Sequence, residues 1–202
     1  MMSALPSQNR SHGRISSGSS ERSRPRLVGS PSDGLPADAI AMRAARRRWA
    51  SGVAVLTTHL GEPEEQRFRG TTITGFQVVS LDPPLIALFM DKQGTMARLI
   101  QETGICAVSV LDRGHEFEAD RFAGMAPVPN PSFDGIPYEV ASTGGPVLTG
   151  ALAWFDCRLQ EAIPAGDHLI FLCKVERIGL GPDTDDPLMN YEGSYRRIEG
   201  AL

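Results

Sequence analysis

Apolar and polar residues alternate along much of this 202-residue chain with the period of two that is typical of β-strands. The alternation is clearest over Ala151 to Gln160 and over Leu169 to Ile178, where one face is apolar and the other is more polar. Such a pattern predicts antiparallel strands with one face on a core. Apolar and β-branched runs predict buried strands over Val53–Thr58, Leu85–Met90 and Ile105–Leu111. We therefore expect a mainly β protein.

Three segments between these strands have the end signals of short helices. The first is predicted over Ala37 to Ala50, with Asp38 near its N-terminus. The second is expected to run from an N-cap at Thr95 to a stop at Gly104, and the third lies within 112–124. A few short helices among six or so mostly antiparallel strands favour a closed or nearly closed β-barrel. A Rossmann domain is disfavoured because no predicted strand is followed by a G-x-G-x-x-G fingerprint.

The first 36 residues differ in composition from the rest of the chain. They contain ten Ser, and five Arg against two acidic residues, with few apolar side chains. Such a segment cannot bury enough surface to offset its ordering entropy, so we expect a disordered tail over 1–36 and a folded domain over 37–202. Because the whole chain has a net charge of −4, that domain carries −7. An acidic domain argues against a broad nucleic-acid-binding face.

Several features bear on the location of the protein. The Arg- and Ser-rich tail shares its composition with organellar transit peptides, but it lacks their amphipathic helical pattern. The longest apolar run, Pro84 to Met90, is far shorter than the about 20 residues of a membrane span, and there is no secretory signal. Cys106, Cys157 and Cys173 lack zinc or dithiol spacing and are expected to be buried thiols. These features predict a cytoplasmic protein that has no metal site and does not associate with membranes.

The sequence lacks the common motifs of protein-based catalysis. It contains no G-x-S-x-G, H-E-x-x-H, Walker or C-x-x-C motif, and its four histidines are far apart. If the protein is an enzyme, we expect a cofactor to supply the reactive atom. The arginines at 43 and 46–48 suit the last turn of a helix, where the macrodipole favours cations. Contact with a phosphate is the alternative interpretation of this cluster.

The most informative segment, Arg69 to Pro84, is rich in threonine and glycine and ends with two prolines. Small residues allow a planar ligand to lie close to the backbone, whose N–H and C=O groups match the polar edge of a flavin ring. Composition alone fits a plain threonine-rich hairpin equally well.

This segment resembles the flavin reductase family of the FMN-binding split β-barrels, which are the reductase components of two-component flavin-dependent monooxygenases. The family pattern is matched by Gly70, Thr72, Thr74, Phe76 and Ser80 to Pro84. Further matches follow in the family's order, at Ser51 to Thr58, Asp91 and Lys92, Arg121 to Gly124, Pro146 to Leu148, and Gly166 to His168. The resemblance implies a split β-barrel of mostly antiparallel strands with a few short helices.

The resemblance also implies roles for individual residues. Four residues would line the isoalloxazine ring, largely through backbone groups: Thr72, Ile73, Thr74 and Gly75. Ser51 would lie beside the flavin, and Lys92 and Thr95 would bind its phosphate. His168 would lie near the nicotinamide as the catalytic residue, and the rim of the cofactor site would include Arg121, Phe122 and Tyr195. The family commonly has two small hydroxyl residues where this chain has Thr74 and Gly75, which puts a side-chain bond to the flavin in doubt.

The function implied is that of an NAD(P)H-dependent flavin reductase. NADH or NADPH would pass a hydride to FMN or FAD, with nicotinamide C4 and flavin N5 held about 3–3.5 Å apart. The reduced flavin would then reach a partner monooxygenase, and the protein would be a homodimer with the flavin near the subunit boundary. Two alternatives stay open, namely an oxidase of the pyridoxamine-phosphate type and a non-catalytic flavin-binding module.

Overall fold

The computed structural model describes residues 34–61, 67–126, 133–181, 183 and 186–198. The helices are α1 (Ala39–Arg46), α2 (Thr95–Thr103) and α3 (Glu116–Phe122), and a 3-10 helix covers Arg113–His115. The strands are β1 (Ser51–Gly52), β2 (Ala54–Leu60), β3 (Arg67–Ile73), β4 (Phe76–Leu81), β5 (Pro84–Asp91), β6 (Ile105–Val110), β7 (Tyr138–Val140), β8 (Pro146–Leu148), β9 (Ala153–Ala165), β10 (His168–Leu180), β11 (Met189–Tyr191) and β12 (Ser194–Arg196). The predicted mainly β fold is confirmed.

Seven strands form one antiparallel sheet with the order β3-β2-β6-β9-β10-β5-β4. Its edge strands, β3 and β4, are consecutive in the chain and are joined only by Thr74 and Gly75. A link of that length spans about 10 Å, so the sheet must curl until its two edges come together. The result is the expected barrel, split between β3 and β4.

Hydrophobic residues pack on both faces of β2. Ala54 and Leu56 belong to a core cluster with β5, β6, β9, β10 and α2. Val53 and Val55 point the other way, into a second cluster that includes Leu111 and residues of α3. A strand buried on both faces needs a nearly continuous apolar sequence, which is the pattern seen in this segment.

The helix ends differ in part from the predicted ones. Asp38 caps α1 as expected, because its carboxylate accepts hydrogen bonds from the N–H groups of Ile40 and Ala41 at 2.9 and 2.8 Å. The prediction of Thr95 as the N-cap of α2 is wrong. Gly94 occupies that position without a side-chain cap, and Thr95 is the first helical residue.

The alternation along β9 assigns Asp156 to the polar face, yet this residue is fully buried. Its carboxylate accepts hydrogen bonds from the Ser142 hydroxyl at 2.7 Å, the Thr143 N–H at 3.0 Å and the Thr143 hydroxyl. A register shift between β9 and β10 accompanies this burial, near Val175. A buried carboxylate needs such donors, and here they come from the turn between β7 and β8.

The tail predicted over 1–36 lies outside the described residues as far as position 33. Residues 34–38 are exposed and belong to no helix or strand. Among the described residues, no helix is both long and apolar enough to cross a membrane.

Candidate functional site

A cleft of about 800 Å³ lies beside the link between β3 and β4, where the two edges of the sheet come together. This volume falls within the range of about 300–1,000 Å³ typical of small-molecule sites. Six of the predicted site residues line it, namely Ser51, Thr72, Ile73, Thr74, Gly75 and His168. The residues that the sequence analysis did not assign to the site are Arg43, Arg46, Arg47, Trp49, Thr71, Phe89, Met90, Asp91, Asn190 and Gly193.

Residues 71–75 form one wall of the cleft, at the end of β3 and in the link to β4. The Gly75 carbonyl accepts a hydrogen bond from the Phe89 N–H at 3.0 Å, which holds the link against β5. A Cβ at Gly75 would lie 3.1 Å from the Phe89 Cβ and 3.3 Å from the Phe89 carbonyl oxygen. A wall that contains three threonines and a glycine, beside a cleft of this size, leaves room for a planar ring close to the backbone.

The Thr72 hydroxyl is already engaged within the protein. Its Oγ1 donates to the Ala119 carbonyl of α3 at 2.6 Å, and Thr72 pairs with Val55 across β2 and β3. The donor of the Thr72 hydroxyl is therefore used within the protein, so Thr72 would reach a bound ring through its backbone. That the flavin is held largely through the backbone of residues 72–75 stays a prediction.

His168 is the first residue of β10 and follows a tight turn made by Gly166 and Asp167. Its ring Nδ1 lies 2.7 Å from the Asp167 carboxylate, and its position in the sheet is opposite Asp91. The hydrogen bond from the imidazole, and then its charge, lower the pKa of the exposed Asp167 carboxyl. The half-buried imidazole is therefore held by its Nδ1 at the wall of the cleft.

Lys92 and Thr95, the residues predicted to bind the phosphate, do not line this cleft. The Lys92 ammonium donates to the Gly166 carbonyl at 2.9 Å, and the Lys92 backbone N–H donates to the Asp167 carbonyl at 3.2 Å. Lys92 thus supports the turn that carries His168. Thr95 is exposed at the start of α2.

The three predicted rim residues, Arg121, Phe122 and Tyr195, lie around α3 and also do not line the cleft. Phe122 packs in the second core cluster, and a Cβ on Gly70 would come within 2.6 Å of its ring. Arg121 is buried. The Tyr195 hydroxyl donates to Asp120 at 2.9 Å, and burial together with this hydrogen bond raises the pKa of the phenol.

The contribution of the C-terminal hairpin is a feature that the sequence analysis missed. β1 pairs with β11, so that Ser51 lies opposite Asn190, and both residues line the cleft. This pairing joins segments almost 140 residues apart, and no local pattern signals it. The arginine cluster, in contrast, was visible in the sequence.

A split barrel with a cleft beside a glycine- and threonine-rich link defines the class of flavin-binding split barrels. The family described as "Flavin reductase like domain" matches residues 46–199, and the chain belongs to this family. The predictions of a split barrel and of an NAD(P)H:flavin oxidoreductase are therefore confirmed.

The known proteins that this chain is similar to are flavin reductases and reductase components. The chain is 36 % identical over 158 residues to the reductase component of 4-hydroxyphenylacetate 3-monooxygenase from Thermus thermophilus, covering 78 % of this chain and 95 % of that protein. It is 37 % identical to an NADH-dependent flavin reductase of a Rhodococcus species, covering 78 % and 85 %. The solved structure of a Streptomyces globisporus NADH:FAD oxidoreductase superimposes with a TM-score of 0.73 at 30 % identity, covering 82 % and 96 %.

Proposed function

We propose that this flavin reductase binds the isoalloxazine ring of FMN or FAD against residues 72–75 and accepts NADH on the open side of the cleft. The proposal rests on the threonine- and glycine-rich wall at residues 71–75, which lines the cleft together with His168. The names of the relatives support NADH as the donor and both flavins as acceptors.

The bound flavin supplies the redox chemistry, because it accepts a hydride from a dihydronicotinamide. The chain has to hold two flat rings in contact and needs little acid or base assistance. The backbone of Thr72 to Gly75 binds the flavin edge, and Ser51 offers a hydroxyl from β1. Asp167 orients His168 through the ring Nδ1, so that the other ring nitrogen, Nε2, can position the nicotinamide.

We propose a flavin-dependent monooxygenase as the partner that receives the reduced flavin in the cytoplasm. The Thermus relative is named as the reductase component of a monooxygenase, which supports this assignment. Reduced flavin can leave a cleft that is open to solvent.

We also propose that the protein is a homodimer. β4 is an edge strand of the seven-stranded sheet and exposes Val78, Val79 and Leu81. Apolar residues on an unpaired edge favour association with a second strand or surface. Because β4 follows directly on Gly75, a partner at this edge would lie next to the cleft.

The reductase activity is tested by mixing the purified protein with NADH and either FMN or FAD, and following absorbance at 340 nm. We expect oxidation of NADH well above the rate without protein for at least one flavin. Absence of activity with both flavins and both nicotinamide donors would contradict the proposal. Bound flavin that only dithionite reduces would instead indicate a non-catalytic flavin-binding protein.

A further inference from the structure

The wall of the cleft formed by α1 and the segment after it has a different chemistry from the wall formed by residues 71–75. Arg43, Arg46 and Arg47 contribute three guanidinium groups, and Trp49 contributes an indole. Asp91 is the carboxylate among the lining residues, and its Oδ1 accepts a hydrogen bond from the Gln93 N–H at 2.8 Å. This wall is strongly cationic, although the chain as a whole carries a net charge of −4.

The helix dipole accounts for only part of this cluster. Cations in the last turn of a helix are favoured by its partial negative charge. The spacing of the three arginines adds a second feature. Positions 46 and 47 follow position 43 by three and four residues, so all three lie on one face of the helix. That face lines the cleft, whereas the neighbouring Arg48 does not.

The three arginines of this wall differ in their contacts within the protein. Arg47 joins α1 to the C-terminal hairpin, because its Nη2 donates to the Glu192 carbonyl at 2.9 Å and the Glu192 N–H donates to the Arg47 carbonyl at 3.0 Å. No carboxylate among the described residues pairs with Arg43 or Arg46. Both side chains are exposed, and both are available to an anion in the cleft.

Trp49 adds an aromatic surface next to these cations. It is 79 % exposed although it lines the cleft, which is unusual for so large an apolar side chain. An indole face stacks well on a purine ring, and a guanidinium group binds phosphate oxygens in pairs. Arginines and a tryptophan in one cleft match a ligand that carries phosphates and a purine base.

We propose that Arg43, Arg46 and Trp49 form a subsite for the adenosine diphosphate part of a dinucleotide, with the arginines on the phosphates and the indole on the adenine. Both NADH and FAD contain this group. The inference deepens the proposed function and rests on it for the role of the bound dinucleotide. It assigns the phosphates to α1 rather than to Lys92 and Thr95.

The subsite is tested first with ADP alone, by titration calorimetry on the flavin-free protein. We expect R43Q and R46Q each to raise the Kd of ADP about tenfold, and the double variant to raise it further, because each loses a charge-assisted hydrogen bond. W49L is expected to weaken the binding of ADP and of adenosine but not the binding of pyrophosphate. R48Q is the matched control, and its Kd should equal that of the wild type.

Two further titrations distinguish the two sources of the group. If FAD is the occupant, the double variant weakens binding of FAD but not of FMN. If NADH is the occupant, the double variant raises the KM for NADH and leaves the KM for reduced nicotinamide mononucleotide unchanged. Circular dichroism of each variant checks that the fold is kept.

The proposal is overturned if ADP does not bind the wild type, or if R43Q/R46Q binds it as tightly as R48Q does. A W49L variant that changes the oligomeric state and leaves adenosine binding intact would remove Trp49 from the subsite. A wild type that binds ADP but reduces no flavin would contradict the proposed function instead.

Discussion

At the scale of single residues, Gly75 determines, in the proposed binding mode, how closely the flavin ring can approach the link between β3 and β4. Its backbone holds Phe89 through one hydrogen bond, and the space where a side chain would begin is taken by Phe89. In this chain any side chain at position 75 must displace Phe89 by a few tenths of an ångström or tilt into the cleft.

We therefore expect Gly75→Ala to raise the Kd of FMN about tenfold, since the added methyl group overpacks the link. Fluorescence quenching of the flavin measures this Kd. Gly52→Ala is the matched control, because a Cβ there meets no atom within 4 Å. Equal affinity of the two variants would show that the ring does not lie against Gly75.

A second prediction concerns the side chain of His168. His168→Asn should lower kcat/KM for NADH about tenfold while the Kd of FMN stays unchanged, because the proposed contact of this side chain is with the nicotinamide and not with the flavin. His59→Asn serves as the control, since His59 bonds to the Gly61 carbonyl at 3.0 Å and does not line the cleft. A parallel loss of flavin affinity in His168→Asn would instead indicate a structural role.

At the scale of elements, the bond between Tyr195 of β12 and Asp120 of α3 links the C-terminal hairpin to the body of the protein. The hairpin carries Asn190 and Gly193 to the cleft, so this bond fixes part of the site from a distance. Burial of the phenol, reinforced by the neighbouring carboxylate, raises the pKa of Tyr195.

A raised pKa in the folded state means that the stabilisation is complete below the ordinary tyrosine pKa of about 10 and is lost as the pH rises above it. Tyr195→Phe should lower the free energy of unfolding by about 1 kcal/mol at pH 8, through loss of the hydrogen bond. It should also flatten the decline of stability above about pH 10. Urea unfolding across this range measures both effects, with Tyr191→Phe as the control. A decline as steep as that of the wild type would rule out Tyr195 as its source.

The elements also show how far the sequence predicts the structure. The strands β2, β5, β6, β9 and β10 and the helix α2 follow from local periodicity and end signals, because burial on one or both faces leaves a regular pattern. Asp156 breaks that pattern, since its donors come from a distant turn. The pairing of β1 with β11 is equally non-local, so Asn190 could not be found in this way.

At the scale of the whole molecule, the apolar edge strand β4 is the surface through which we propose that copies of the chain associate. Val79 is 50 % exposed on this edge, and Val140 of β7 is exposed to the same extent elsewhere on the surface. Two valines of equal exposure allow a direct comparison of the two surfaces.

We expect the wild type to sediment as a dimer and Val79→Lys to shift it to a monomer, because a charge at the centre of an apolar interface is costly to bury. Val140→Lys should leave the mass unchanged. Analytical ultracentrifugation distinguishes these results. A monomeric wild type, or a dimer that tolerates lysine at position 79, would place the interface elsewhere or exclude it.

The order of the strands also has a consequence for biosynthesis. β3 and β4 leave the ribosome one after the other, yet the five strands that lie between them in the sheet include β9 and β10, which are translated much later. Contacts between such distant segments slow folding, since a long loop must close first. The cleft is therefore completed only after His168 and the β11–β12 hairpin have been translated. In the proposed binding mode, a nascent chain cannot capture flavin at this cleft before those residues emerge.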